Sequence, residues 1–141
     1  MADPAGYDYF DVEADIGVRA WGPTRAEAFA QAALGVLALG IPPAGVEPRE
    51  TRAVRAQGDA PELLLVNWVN ECLYVHEIEG FAVRRVEVET LAEALVHGVL
   101  HGEPIDLGRH TPGTVVKAAT LHGVSVTDGA GGHEVKLVVD V

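Results

Sequence analysis

The sequence has little cysteine and few basic residues, and these shortages exclude several classes of protein. Cys72 is the only cysteine among 141 residues, so an internal disulfide and a cysteine-rich zinc centre are both excluded. Ten basic residues stand against 21 acidic ones, giving a net charge of -11 at pH 7. Because no run of Lys or Arg concentrates positive charge, we expect no strong binding to free RNA and none to a membrane surface. A basic partner or a divalent cation suits this charge better.

Long apolar runs are also missing. No segment reaches the roughly 18 uncharged apolar residues of a membrane span, and MADPAG at the start lacks the pattern of a secretion signal. We therefore expect a cytoplasmic protein. Hydrophobic residues nonetheless make up 48% of the chain, which suffices for a sizeable core. No repeat or shift in composition divides the sequence, so a single domain over residues 1–141 is predicted.

Two helices are predicted, over residues 24–39 and 59–75. Thr24 and Glu27 form a capping box, in which side chains satisfy free amide groups at a helix start, and an Ala-rich run follows. Asp59 and Glu62 form a second capping pair around a proline in the first helical turn. Each segment has the apolar spacing of a helix that packs against a sheet.

Strands are expected before, between and after these helices, over residues 7–14, 16–21, 51–56, 81–90, 115–120, 124–127 and 134–139. Residues 91–99 fit either a hairpin partner or a short helix, and we favour the strand. This order predicts an α+β domain, in which two helices pack on one face of a mixed, largely antiparallel sheet.

An unusual load of acid lies among the apolar and aromatic residues of the first strands. Asp15 lies at a break between the first two strands, and Asp140 is the second-last residue. Terminal strands often pair, so these carboxylates could meet, and the terminal carboxylate of Val141 could add a third oxygen. Calcium or magnesium prefers such ligands. The alternative is that Asp15 caps a turn and Asp140 is a solvated terminal acid.

A second group of candidate residues lies in HGEPIDLGRHTPG, which is predicted to be a surface loop. Glu103, Asp106 and His110 could place acid and base groups together there, although such residues are also common in solvated loops. Lys117, within the apolar VVKAATLH, could hold a phosphate or pair with a carboxylate, or simply face solvent. No GxSxG elbow, Walker loop or dinucleotide fingerprint is present, so no strong catalytic candidate emerges.

The order and spacing of DVEADIGVRAWG, LLLVNWVNECLYV, HGEPIDLGRH, VVKAATLH and the final VVDV resemble the archease family over residues 7–141. The resemblance implies an accessory protein, not itself an enzyme, that activates an RtcB-type RNA ligase in tRNA splicing and RNA repair. It would promote guanylylation of the ligase and repeated turnover, and would contact GTP only indirectly within the complex. The resemblance also implies a metal ion, usually calcium, at Asp15, Asp140 and Val141, and a functional role for Lys117.

The sequence departs from the family pattern in the first motif. The family usually reads Asp or Glu, His, Thr, Ala, Asp, where this chain has Asp11, Val12, Glu13, Ala14 and Asp15. The histidine is absent, and Glu13 or another acid is expected to act in its place.

Two other functions remain open at this stage. A metal-dependent hydrolase would use Asp15, Asp140 and the loop residues Glu103, Asp106 and His110, and would turn over a substrate on its own. A chaperone-like binding module would recognise many clients through an exposed sheet face.

Overall fold

The computed structural model describes residues 4–129 and 131–141. These residues form two helices, a short 3-10 turn at Pro43–Gly45, and seven strands. In chain order the elements are β1 (Gly6–Val12), β2 (Asp15–Gly22), α1 (Arg25–Gly40), β3 (Glu50–Gln57), α2 (Pro61–Ile78), β4 (Phe81–Leu91), β5 (Leu95–Pro104), β6 (Ala118–Gly129) and β7 (Gly132–Asp140). Within the described residues, neither helix has the length and apolar character that a membrane crossing needs.

The seven strands form two antiparallel sheets, in the orders β1-β2-β7-β6 and β3-β5-β4. The predicted α+β class is confirmed, and the strands divide between two sheets because α2 lies between their edges. The Asn70 side chain hydrogen-bonds both backbone groups of Ala119 on β6, with distances of 3.1 and 2.8 Å. Asn67 donates to the carbonyl oxygen of Gln57 on β3 at 2.7 Å. Side-chain amides of one helix therefore bind the edges of both sheets.

Helix α1 is buried between the two sheets, which explains its many small residues. The Thr24 hydroxyl accepts a hydrogen bond from the Glu27 amide at 3.1 Å, as the capping box predicts. Gly35 lies against β1, where the Tyr9 hydroxyl donates to its carbonyl oxygen at 2.7 Å. A Cβ at Gly35 would come within 2.9 Å of the Tyr7 ring, so this close approach requires glycine.

Helix α2 differs from its prediction at both ends. The N-cap is Ala60, which makes no side-chain capping bond, so the predicted capping pair of Asp59 and Glu62 is wrong. Pro61 at the first helical position fixes the backbone instead. The helix continues to Ile78 because its last turn is still packed against the core. Its thiol, Cys72, is fully buried, and burial raises the pKa of that thiol.

Residues 91–99 contribute to strands, as we favoured, and residues 92–94 form the turn between β4 and β5. Two other boundaries differ from the sequence pattern. Strand β5 runs on to Pro104, so Glu103 belongs to a strand rather than to the predicted loop. Strand β6 begins at Ala118 and continues to Gly129, with a register shift between Thr120 and Ser125 where the sequence suggested two strands.

The chain reverses direction at every step, so alternate connections collect at two ends of the domain. One end carries residues 13–14, 41–49, 79–80 and 105–117 together with the end of β7, and we call it the tip end. The other end carries residues 23–24, 58–60, 92–94 and 131. Sequence-distant loops thereby meet at the tip end.

Candidate functional site

The first candidate site is formed by the β1–β2 turn and the end of β7. Val12 pairs with Asp15 across the two-residue turn, and Ile16 pairs with Val139. Asp15 and Asp140 are the next residues of the two strands if this antiparallel register is continued by one step. Directly opposed residues on neighbouring antiparallel strands have Cβ atoms about 5 Å apart, so the two carboxylates share one face. We call Glu13, Asp15, Asp140 and Val141 the acidic tip.

The acidic tip faces away from the helices. Ile16 and Val139 pack against the core, and side chains alternate along a strand, so Asp15 and Asp140 point to the opposite face of the sheet. Within residues 4–129 and 131–141, neither carboxylate has a side-chain hydrogen bond or an ion pair with another residue. Ala14 in the turn has a positive φ of 64°, a left-handed conformation that is costly for any residue except glycine. The tip thus presents two free carboxylates on a tightly turned hairpin.

A backbone hydrogen bond holds Lys117 beside the acidic tip. Its amide donates to the carbonyl oxygen of Asp140 at 2.8 Å, just before Ala118 begins β6 opposite Asp140. The lysine side chain is exposed. The fold therefore brings Lys117 to the same end as the two aspartates, although it precedes the strand in which the sequence pattern placed it.

The donor set of the acidic tip fits a hard cation. The carboxylates of Asp15 and Asp140 offer oxygen ligands alone, which Ca²⁺ and Mg²⁺ prefer. In the described part of the chain, no cluster of three or more His, Cys, Asp or Glu side chains has the arrangement of a metal site. A cation at the tip would therefore need the Val141 carboxylate, backbone carbonyl oxygens or water besides Asp15 and Asp140.

The second predicted group proves to be a buried network around Glu103, whose side chain is fully buried at the end of β5. Its carboxylate accepts hydrogen bonds from the Glu47 amide at 2.8 Å, Arg49 Nη2 at 2.7 Å, Arg109 Nη2 at 2.6 Å and His110 Nε2 at 3.0 Å. The hydrogen bond from the Glu47 amide is the largest of the effects that lower the pKa of Glu103 to about 2. Burial raises the pKa, but the hydrogen bonds from His110 and the two arginines lower it further. The Glu103 carboxylate is therefore ionised, and both of its oxygen atoms are engaged in hydrogen bonds.

The hydrogen bonds also fix the tautomer of His110. The Asp106 amide donates to His110 Nδ1 at 2.9 Å, so Nδ1 carries no hydrogen and Nε2 donates to Glu103. The Asp106 carboxylate accepts from the Gly108 amide at 2.9 Å and is exposed. These three residues hold the loop after β5 in place. Among the described residues, no hydrogen bond or ion pair connects them to the acidic tip.

Arg49 and Arg109 complete this network and were missed by the sequence reasoning. Arg109 lies next to His110 in the same loop, and that proximity was an available signal. Arg49 follows the 3-10 turn, 54 residues before Glu103, and nothing local in the sequence connects the two. A solvated loop was one of the two readings of this segment, but the burial of Glu103 and His110 shows an ordered one.

The fold and the acidic tip define a class of small α+β protein that presents carboxylates at one end of two antiparallel sheets. Comparison with known proteins identifies the family within this class. The model of the Archease protein family (MTH1598/TM1083) matches residues 7–141, so the chain belongs to the archease family. This confirms the resemblance seen in the sequence and supports an archease-type accessory role.

Individual relatives agree with this assignment. The archease of Pyrobaculum calidifontis is 36% identical, with 98% of this chain and 97% of that protein aligned. The archease of the fish Ictalurus punctatus is 32% identical over 86% of this chain and 77% of its own length. The matches therefore extend from an archaeon to an animal.

Solved structures show the same fold. The solution structure of Methanobacterium thermoautotrophicum protein 1598 has a TM-score of 0.78 at 28% identity, covering 96% of this chain and 99% of that one. The crystal structure of a Thermotoga maritima archease, described as a possible chaperone, has a TM-score of 0.62 at 18% identity. It covers 100% of this chain and 98% of that one, and at this identity it is similar in fold alone.

Proposed function

We propose that this protein activates an RtcB-type RNA ligase of tRNA splicing and RNA repair in the cytoplasm, by promoting guanylylation of the ligase and its repeated turnover. The observation that carries the proposal is the β2–β7 register, which ends at the pair Ile16–Val139 and so brings the free carboxylates of Asp15 and Asp140 to adjoining strand ends beside Lys117. Family membership supports the same role. The protein acts as an accessory factor, and the chemistry belongs to the ligase.

Each residue of the tip has a defined part in this proposal. Asp15 and Asp140 would hold a divalent cation, for which Ca²⁺ is the leading candidate, and Val141 would add a further oxygen ligand. A cation held there would supply positive charge to phosphate oxygens at the mouth of the ligase active site. Lys117 adds a mobile ammonium group next to it, and Glu13 replaces the polar function of the family histidine at the turn.

Activation requires the protein to distinguish between states of the ligase. A partner that binds two conformations equally well shifts no equilibrium, however tightly it binds. The tip must therefore contact the guanylylation-competent ligase more favourably than the resting one. Phosphates of GTP bound in the ligase provide such a difference, because they bring negative charge to the position that the cation and Lys117 would face.

The Glu103 network argues against the hydrolase alternative. A general base needs a free lone pair close to the proton it removes. The Glu103 carboxylate already accepts hydrogen bonds from four groups, and both ring nitrogens of His110 are already hydrogen-bonded. These residues stabilise the tip end instead of supplying acid and base groups.

The test is guanylylation of the ligase with radiolabelled GTP, with and without this protein and with and without a chelator. Asp15→Ala and Asp140→Ala should each abolish stimulation while leaving the circular dichroism spectrum and the melting temperature close to wild type. Asp59→Ala is the matched control, because Asp59 is an exposed acid at the opposite end of the domain. Full stimulation by both tip variants would contradict the proposal.

Further arms separate the rivals. Lys117→Ala should weaken stimulation, whereas Lys136→Ala removes an exposed lysine from β7 and serves as its control. Turnover of phosphate esters by the isolated protein would support the hydrolase. Binding to many unfolded clients with equal affinity, without an effect on guanylylation, would support the chaperone-like module.

A further inference from the structure

A groove lies at the tip end, between the C-termini of both helices and the segment that joins β5 to β6. Its apolar lining includes Ile41, Ile105, Leu107, Pro112 and Val115, and its volume is about 160 Å³. We call it the helix-end groove. Leu107 and Val115 are 71% and 68% exposed despite being apolar. Apolar side chains gathered in this way on a small soluble domain mark an interaction surface.

The wall of the groove is fixed before any ligand arrives. The Gly113 amide donates to the carbonyl oxygen of Gly40 at 2.7 Å, and the Thr114 amide donates to that of Leu39 at 2.8 Å. These bonds attach the joining segment to the end of α1. A preformed groove avoids the entropy cost of ordering a loop on binding.

His76 places one polar atom in this apolar lining. The residue is only 6% exposed, and its Nδ1 lies 2.9 Å from the carbonyl oxygen of Phe81. A carbonyl oxygen can only accept, so Nδ1 carries the hydrogen and Nε2 is left as an acceptor. No residue in the described part of the chain donates to Nε2, which lies beside Gly40. A ligand with an N–H donor would satisfy it.

The charge around the groove favours a cationic ligand. Glu77 contributes a carboxylate to the lining, and neither Lys nor Arg from the described ranges lines it. Both helices end here, so the partial negative charges of their C-termini point to the same region, and the last turn of α1 has no basic residue. The net charge of -11 adds a long-range attraction for positive segments.

The groove lies at the same end of the domain as the acidic tip and is joined to it by a short stretch of chain. Val115 lies two residues before Lys117, whose amide is bound to Asp140. Tyr74 and Ile78 are 55% and 68% exposed and follow Asn70 at four-residue intervals, so they extend the apolar surface along the side of α2 that meets β6. A partner whose active site meets the tip would place its adjoining surface over the groove.

We propose that the helix-end groove docks a cationic segment of the partner ligase that inserts one aromatic side chain with an N–H donor. His76 Nε2 accepts the hydrogen bond, Leu107 and Val115 cover the ring, and Glu77 faces the flanking positive charge. The inference rests on the proposed function for the identity of the partner. It assigns affinity to the groove and activation to the acidic tip.

Binding and stimulation are measured separately to test this division. Leu107→Asp and Val115→Asp place a charge in the groove at positions too exposed to affect folding, and Leu121→Asp is the matched control at an apolar residue that is 55% exposed elsewhere. Both groove variants should bind the ligase at least tenfold more weakly, yet stimulate guanylylation within twofold of wild type at saturation. Leu121→Asp should match wild type in both, whereas Asp15→Ala should bind the ligase normally in the absence of GTP and fail to stimulate.

The outcomes separate the two proposals. If the wild-type protein neither binds nor stimulates the ligase, the proposed function fails. If wild type binds but both groove variants bind within twofold of it, groove docking is overturned while the proposed function stands. Sedimentation of the isolated protein also measures whether it forms a dimer. A dimer that Val115→Asp converts to a monomer would assign the groove to a second copy and overturn the proposal.

The ligand chemistry is tested without the ligase. Indole and 1-methylindole have similar rings, but only indole has an N–H donor. Titration of the isolated protein with each, followed by the ¹⁵N resonance of His76 Nε2, should show a shift with indole and at least fivefold weaker binding of 1-methylindole. Equal binding of both compounds, or no shift with either, would contradict the role of His76.

Discussion

Asn70→Ala removes the side-chain amide through which α2 binds the edge of the four-stranded sheet. Asn70 Nδ2 donates to the carbonyl oxygen of Ala119, and the Ala119 amide donates to Asn70 Oδ1. The pair imitates the hydrogen bonds of an additional strand. Ala119 is only 5% exposed, so water cannot easily replace the lost partner.

The expected loss of stability follows from these two bonds. Each hydrogen bond contributes about 1 kcal/mol, and a buried group left without a partner costs about 1–3 kcal/mol. Loss of both bonds costs about 2 kcal/mol, and the part of the desolvation penalty that water does not relieve raises this to at most about 4 kcal/mol. Alanine is the better helix former by up to about 0.7 kcal/mol, which offsets part of this loss. The net decrease in unfolding free energy should be about 1.5–3 kcal/mol.

Asn67→Ala is the matched control on the same helix. Asn67 makes one hydrogen bond, to the carbonyl oxygen of exposed Gln57, so its loss should be roughly cancelled by the helix propensity of alanine. Urea unfolding gives both free energies, and hydrogen exchange of the Ala119 amide should accelerate in Asn70→Ala alone. If the two variants lose equal stability, or if the Ala119 amide stays protected, the assignment of Asn70 as an edge cap is refuted.

Three further predictions concern the tip end. The pKa of Glu103 in the folded protein is about 2 against a usual value of 4.5, so the stability that ionised Glu103 contributes is complete above pH 4.5 and is lost as the pH falls towards 2. Glu103→Gln should therefore show a smaller drop in melting temperature across that pH range than wild type. An unchanged dependence of melting temperature on pH would contradict this. Gly17→Ala would overlap the Phe10 ring, so it should cost about 1–2 kcal/mol in urea unfolding, and much less in a Phe10→Ala background. Ala14→Gly should stabilise the hairpin by up to about 1 kcal/mol, because glycine adopts the positive φ without strain, and a loss of stability would disprove the strain.

Local signals in the sequence predicted the fold class well. The Thr24 cap and the Ala-rich run identified α1, and alternation identified β4 as far as Thr90. The division into two sheets was not predictable from such patterns, because it depends on where α2 packs. Asn67 binds β3, which directly precedes α2, but Asn70 binds Ala119, 49 residues further along the chain, and an asparagine on a helix face gives no indication of this.

The candidate site could also be predicted from local sequence patterns only in part. Asp15 stood out as an acid at a break between strands, and Asp140 was associated with it because terminal strands often pair. Antiparallel register then brings both to one face of the sheet. Glu103 looked like a loop acid, since its burial depends on Arg49 at a distance of 54 residues. His76 lay just beyond the predicted end of α2 at residue 75, where it resembled an ordinary loop histidine, and only the tertiary structure shows that α2 continues and what the His76 ring faces.

The burial of Cys72 has a practical consequence for labelling. Reagents such as maleimides attack an accessible thiolate, and this thiol is fully buried with a raised pKa. A cysteine introduced at Glu93, in the exposed turn opposite the tip end, would therefore carry a fluorophore alone, without prior removal of Cys72. A dye at that position would report on tumbling and complex formation while leaving the groove and the tip free.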